Sequence, residues 1–181
     1  MPRAPRQRNF RVVLADPPWP TYGEARKHFP QMSIPDICSI PVSNWISKEA
    51  ILLLWVPSWR IAWGLEVCEA WGFEYRTVGF CWVKTSVTGA VMSGVGFWTR
   101  QTVELCLLGA KGAPKKTTKP GARTANVEQL IFAPRREHAR KPNEIYDRIE
   151  QLQNGPYLEL FARQRRRNWT SWGNEIGKFK C

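Results

Sequence analysis

Asp16-Pro17-Pro18-Trp19 follows directly on the apolar run Val12-Val13-Leu14-Ala15. A carboxylate, two residues of fixed φ and a large ring therefore arrive together at the end of a strand. Neither proline donates a backbone N–H and both hold the chain extended, so their carbonyls are expected to lack a local partner and to remain as acceptors. One such carbonyl beside the Asp16 carboxylate would present two acceptors spaced for the two hydrogens of an exocyclic amino group, and Trp19 would cover a flat ring. The amino nitrogen of adenine is a poor nucleophile because its lone pair is delocalised into the ring. Two acceptors that draw its hydrogens aside push it toward pyramidal geometry and stabilise the positive charge that develops as it attacks. A sulfonium methyl held in line would complete a direct displacement in which positioning supplies much of the rate, with no metal required. Taken alone, the four residues read equally well as a Pro-Pro turn with a capping aspartate, so the rest of the chain has to decide.

The elements that must position this motif are legible as alternating patterns. Strand-like runs occur at Arg11 to Ala15, Ala50 to Val56, Tyr75 to Lys84, Thr102 to Leu108, Glu128 to Ala133 and Tyr157 to Ala162. Several are continuous apolar blocks, as expected of strands covered on both faces. Ser58 to Trp71 places Ile61, Leu65 and Cys68 at helical spacing, and Asn143 to Leu152 does the same with Ile145, Ile149 and Leu152, with Pro142 suited to a first turn. Alternation of this kind predicts an α/β layer architecture on a mostly parallel sheet. Loops are expected at Pro20 to Ser33, Thr85 to Arg100 and Gly112 to Asn126, the last being the most mobile. Open α/β sheets bind ligands beyond the carboxyl ends of their strands, which is where the DPPW falls.

Composition narrows the class. A chain of 181 residues with 43% hydrophobic residues suits a single domain with one core, read here as residues 10–181 behind a flexible basic arm at 1–9. No apolar stretch approaches the ~20 residues of a membrane span and the N-terminus carries no secretory pattern, so a cytoplasmic protein without membrane partners is expected. Five cysteines without a CxxC pair and two histidines argue for reduced core thiols and against a metal site. Twenty-seven Lys and Arg against fifteen Asp and Glu give +12, clustered at Lys115, Lys116 and Lys119, at Arg135, Arg136, Arg140 and Lys141, and at Arg163 to Arg167. Such a field concentrates polyanions and supplies phosphate contacts. With ten tryptophans, some of which could stack on unpaired bases, nucleic acid is the natural partner.

In order along the chain, DPPW, ILLLWVPSW, GFCWVKT, GFWTRQTVELCLLGAKG, RREHARKPNEIYDRIE, YLELFAR and NWTSWGNE resemble the MT-A70-like adenine methyltransferases of bacteria, phages and eukaryotes, over about residues 10 to 177. The resemblance implies an S-adenosylmethionine-dependent methyltransferase acting on the amino nitrogen (N6) of adenine in DNA or RNA. It implies a Rossmann-like sheet of permuted motif order, with the DPPW before the cofactor strand, here Tyr157 to Ala162. Carried across, Asp16, Pro17, Pro18 and Trp19 are the catalytic motif, with Pro18 also near the cofactor. Lys111 matches a lysine near the cofactor and target adenosine in the eukaryotic member. Arg163 and Arg165 match cofactor-contacting positions, Asn174 and Glu175 the pair that holds the ribose hydroxyls, and Lys141, with His138, the stretch that reaches the methionine carboxylate. Physical chemistry independently supports Glu175, since a carboxylate accepts well from two vicinal hydroxyls. Structural alternatives stay open: Glu175 as a helix cap, Lys141 as a surface charge, Arg163 as a phosphate contact. The chain departs from the wider pattern at Ala162, where many methyltransferases carry glycine, and at Phe29, where relatives commonly have a tyrosine. The segment Arg163 to Asn168 is also shorter than in the eukaryotic enzyme.

DNA is the expected polymer for a short bacterial or phage chain. A paired adenine must be flipped to be reached, and Tyr22, Phe29, Trp19 or Trp98 could receive it. The competing readings are an RNA adenosine N6-methyltransferase, a non-catalytic nucleic-acid-binding partner subunit of the same fold, and a small-molecule methyltransferase. An intact DPPW argues against the second, and the basic clusters against the third. Association as a homodimer or heterodimer is left open.

Overall fold

Two of the apolar blocks lie side by side at the centre of a seven-stranded sheet. The computed structural model describes residues 2–21, 30–96, 98–114, 127–137 and 140–179. In it β1 (Phe10–Ala15) and β2 (Ile46–Val56) run parallel, with Val13 opposite Leu52 and Ala15 opposite Leu54. The remaining strands are β3 (Glu74–Thr85), β4 (Val103–Lys111), β5 (Leu130–Pro134), β6 (Tyr157–Leu160) and β7 (Trp169–Trp172). Their order across the sheet is β5-β3-β4-β2-β1-β6-β7. All run the same way except β4, which is antiparallel to both β2 and β3. The α/β class and the mostly parallel sheet are as read from the sequence, with β4 as the exception.

Continuous apolar runs are required because the central strands are covered on both faces. Val13, Ala15, Leu52, Leu54 and Val56 pack on one side with Ile37, Val67 and Trp71, from α1 (Ile34–Cys38), α2 (Ile61–Ala70) and the turn after it. The alternate residues Val12, Leu14, Leu53 and Trp55 pack on the other with Ile145, Tyr146 and Ile149 of α3 (Glu144–Leu152). Side chains alternate across a strand, so each strand feeds two cores. Cys68 and Cys106 are small buried members of these layers. No helix among the described residues is long and apolar enough to cross a membrane.

The sequence misjudged the buried face of α2. Ile61 and Leu65 are 37% and 39% exposed, and the buried positions are Gly64, Val67 and Cys68. Gly64 is the reason: a Cβ there would lie 2.8 Å from Leu107 Cδ1 and 3.1 Å from Val56 Cγ2, so the missing side chain lets the helix rest on the sheet. Gly64→Ala is therefore expected to destabilise the fold by about 1–3 kcal/mol, the cost of overpacking a filled interior, despite alanine's higher helix propensity. Chemical denaturation would test this, and a variant as stable as the parent would show that α2 can shift without cost.

Two elements went unread. The helix α1 has five residues, too few to show a period, yet its start carries a cap: Ser33 Oγ accepts from Asp36 N at 3.2 Å, with proline in the first turn. The strand β7 has four residues at the sheet edge, two tryptophans enclosing Thr170 and Ser171. Within the basic segment, Trp172 Nε1 donates to Arg3 O at 3.1 Å, Thr170 Oγ1 donates to Gln7 Oε1 at 3.2 Å and Pro5 is buried, so Arg3 and Gln7 meet β7.

Candidate active site

The ends of β1, β2, β3 and β6, together with the start of the antiparallel β4, open on one cavity of about 450 Å³. Asp16 to Trp19 form part of its wall, as placement at the end of β1 requires. Lys141, Arg163, Asn174 and Glu175 line it as well. Eight positions picked from the sequence, separated by up to 159 residues of chain, thus share one space.

Asp16 is the hub. Its Oδ2 accepts from Lys141 Nζ at 2.8 Å and Arg163 Nη2 at 2.9 Å, and its side chain is only 20% exposed. Both contacts fall on one oxygen, leaving Oδ1 with no partner among the described residues. The proline carbonyls correct an expectation. Pro17 O accepts from Trp19 N at 2.8 Å in a tight turn within the motif, and Pro18 O accepts from Met32 N at 3.0 Å, a donor that returns from later in the chain. Each carbonyl keeps its second lone pair, so either can still accept from a ligand. Trp19 is also less available than expected. It is buried, donates from Nε1 to Trp55 O at 2.9 Å and stacks on Trp63 at 6.5 Å, so it acts as wall more than as a mobile cover.

Two residues that the sequence reading did not single out complete the charge network. Glu104 of β4 pairs with Lys84 Nζ at 2.8 Å and Lys141 Nζ at 3.2 Å. Burial works to raise its pKa, but Lys141 and Lys84 overcome this and hold it at about 2. Lys141, buried yet placed between Asp16 and Glu104, is desolvated in the direction that would lower its pKa, and the two carboxylates raise it instead. A lone acid inside the apolar run VELCLL was the available signal, since a charge in a covered strand has to be paired.

Beyond β6 the backbone is turned sharply. Phe161 adopts φ 59°, an unfavourable region for a side chain of that size, and it lines the cavity. Ala162 N then donates to Trp172 O at 3.0 Å, and a Cβ on Gly173 would lie 2.8 Å from Ala162 N. That close approach brings Asn174 and Glu175 beside Arg163, whose Nε lies 3.9 Å from Glu175 Oε2. Glycine is needed on β7's side of this crossing and not at position 162.

Other positions fall elsewhere. Lys111 ends β4, opposite Ala50 at the start of β2, and the reversed direction of β4 sends it to the far edge of the sheet from the cavity. Lys141 occupies the place beside Asp16 instead. Arg165 is exposed and does not line the cavity, and neither does Trp98, which is almost wholly exposed. Tyr22, Phe29 and His138 lie outside the described residues, as does most of the loop Gly112 to Asn126. Thr21 and Gln31, at either end of the segment that holds Tyr22 and Phe29, are joined by a hydrogen bond from Thr21 N to Gln31 Oε1 of 2.9 Å.

Behind Asp16, Glu159 of β6 accepts from Tyr146 Oη at 2.9 Å, while its Oε2 is buried with no partner among the described residues. Burial, opposed by the Tyr146 hydrogen bond and reinforced by the Asp16 charge, pushes its pKa up to about 7. Its folded pKa lies above the unfolded one, so its contribution is fully present below about pH 4.5 and is lost as pH rises through about 7. Glu159→Gln should match the parent in stability near pH 4 and exceed it by about 1–3 kcal/mol at pH 8. Thermal unfolding across that range decides, and a difference independent of pH would remove Glu159 from the titration.

Comparison with known proteins shows the family. A Type II methyltransferase of Mycoplasma sp, M.MunI, is 30% identical over 97% of this chain and 81% of its own length. The human N(6)-adenosine-methyltransferase catalytic subunit METTL3 is 33% identical over 92% of this chain, and the Arabidopsis thaliana N(6)-adenosine-methyltransferase MT-A70-like protein 31% over 92%. The chain spans only 28% and 24% of those two proteins. Residues 10–175 match the MT-A70 family, a span that runs from the first strand through the DPPW to Glu175, and the chain belongs to that family.

Proposed function

We propose that the protein transfers a methyl group from S-adenosylmethionine to the N6 amino nitrogen of adenine in DNA. The observation that carries this reading is the Asp16 carboxylate at the tip of β1, gripped through one oxygen by Lys141 and Arg163 in a cavity shared with Asn174 and Glu175. The donor set fits the cofactor. Glu175 and Asn174 offer acceptors to ribose hydroxyls, and Arg163 and Lys141 offer cations to an amino-acid carboxylate. β6 is then the cofactor strand, and the motif order is permuted because β1 precedes it. When bound, S-adenosylmethionine supplies an electrophilic methyl group on a sulfonium.

The chain's own part is to prepare the nitrogen. Asp16 Oδ1 accepts one amino hydrogen, and a proline carbonyl of the DPPW accepts the other through its second lone pair. The lone pair of the nitrogen leaves conjugation and is aimed at the methyl carbon, and Asp16 is the first acceptor for the proton that the nitrogen must shed. Lys141 and Arg163 hold the Asp16 carboxylate in place through Oδ2, so little reorganisation is needed during the reaction. Trp19 and Trp55 exclude water from one side, which strengthens each of these interactions.

Adenine is favoured because relatives named for N(6)-adenosine methylation match 92% of this chain. DNA is favoured because the chain matches the bacterial Type II methyltransferase along most of that protein's length. Incubation with methyl-labelled S-adenosylmethionine and enzymatically amplified duplex DNA, its separated strands and transcribed RNA, followed by nucleoside mass spectrometry, tests the reading. N6-methyldeoxyadenosine is the expected product. Label in cytosine, in RNA alone or in no polymer contradicts it.

A further inference from the structure

The hairpin between β3 and β4 presents apolar side chains to solvent at the cavity's own edge of the sheet. Val95 is 98% exposed and Trp98 99% exposed, and Val87 and Val91 are also mostly exposed. These residues are carried on an ordered support. Thr85 bridges Val91, and Gly94 exchanges hydrogen bonds with Gln101, N to O at 2.6 Å and 3.2 Å. Gln101 Nε2 donates to Ser58 Oγ at 2.8 Å, tying the root of the hairpin to the turn after β2. A Cβ on Gly96 would lie 2.0 Å from Thr99 O, so the tip is a tight turn that only glycine allows. Gln101 lines the cavity, and three residues of chain span at most about 10 Å. Trp98 therefore stands within about 10 Å, about three base steps, of a residue that lines the cavity a target base would enter.

We infer that this hairpin is a wedge for duplex DNA, with Trp98 entering the base stack as the target adenine leaves it. The inference rests on the proposed action at adenine in DNA and adds how a paired base reaches Asp16. Charge complementarity selects the occupant. No acidic residue occurs from Thr85 to Val103, Arg100 flanks the tip, and Arg135 and Arg136 line the cavity rim. A polyanion is drawn to such a surface. Apolar wedges between base steps hold open an unstacked gap, and a large ring can refill the space that the flipped base vacates.

Methyl transfer to amplified duplex DNA and to its heat-separated strands, measured for the parent, Trp98→Ala and Trp98→Phe, tests this. Trp98→Ala should lose tenfold or more on duplex and change less than twofold on single strands, with S-adenosylmethionine binding unchanged. Trp98→Phe should recover most of the duplex rate. Equal loss on both substrates, no loss on duplex, or a parent that acts only on single strands would overturn the wedge while leaving the chemistry standing. A change from dimer to monomer in sedimentation on Trp98→Ala would assign the hairpin to a protein contact and also overturn it. A parent that methylates no polymer overturns the underlying reading instead.

Discussion

Asp16→Asn is expected to lower methyl transfer by about 10²–10³-fold or more, while S-adenosylmethionine affinity changes by less than about tenfold. The amide keeps an oxygen that can face Lys141 and Arg163, so the wall of the cavity is largely preserved. It loses the negative charge that stabilises the amino nitrogen as that atom becomes positive, and it replaces one acceptor with a donor. The defect should therefore appear in kcat and leave cofactor binding close to the parent. Single-turnover kinetics beside calorimetric titration separates the two. Lost cofactor binding with residual turnover would mean that Asp16 is a cofactor ligand and not the group that prepares the nucleophile.

Lys141→Met is expected to damage both catalysis and stability. Lys141 is the shared counterion of Asp16 and Glu104, at 2.8 Å and 3.2 Å, with its side chain only 16% exposed. Removing the shared cation leaves Asp16 with Arg163 alone and Glu104 with Lys84 alone, at a cost of about 2–4 kcal/mol here, and transfer should fall by about 10² as Asp16 loses one of its two anchors. The pH dependence gives the sign. Glu104 is held at about 2, below its ordinary 4.5, so it stabilises the fold above about pH 4.5 and that contribution is lost as pH falls toward 2. Without Lys141 part of this is absent, Lys84 remaining on Glu104, so the stability deficit should be full at pH 7 and shrink below pH 4.5. Denaturant unfolding from pH 7 to pH 3 measures it. A constant deficit would indicate lost packing of the lysine stem on Trp55, whose ring centroid lies 5.6 Å from Nζ.

The sequence made the central sheet legible because its strands carry unbroken apolar runs bounded by Asp-Pro, Gly and Pro. Ala50 to Val56 and Arg11 to Ala15 were readable for that reason, and both fall inside observed strands. The short edge elements were not readable, since a four-residue strand such as Trp169–Trp172 takes its pairing from β6 and not from any pattern of its own. The DPPW, Arg163, Asn174 and Glu175 were placed by the order of the motifs. Their convergence depends on the turn at Phe161 and the Gly173 crossing, which are contacts between elements. Lys111 was misplaced because the spacing along a strand does not tell its direction. Once β4 is reversed, the charged residue at the cavity is Glu104 near its start, and the basic residue at its end lies remote. The carbonyls of Pro17 and Pro18 were misjudged because the motif itself turns, bringing Trp19 N onto Pro17 O, and because Met32 N becomes a neighbour of Pro18 O only in the folded chain.

The most direct test is a crystal structure with sinefungin, in which an amine-bearing carbon stands in for the methyl-bearing sulfonium. The expected result is the nucleoside in the cavity at the tip of β1, its ribose hydroxyls within hydrogen-bonding distance of Glu175 or Asn174 and its amine end directed toward Asp16. A ligand seated at the Lys111 edge of the sheet, or one that leaves Asp16 and Glu175 untouched, would contradict it.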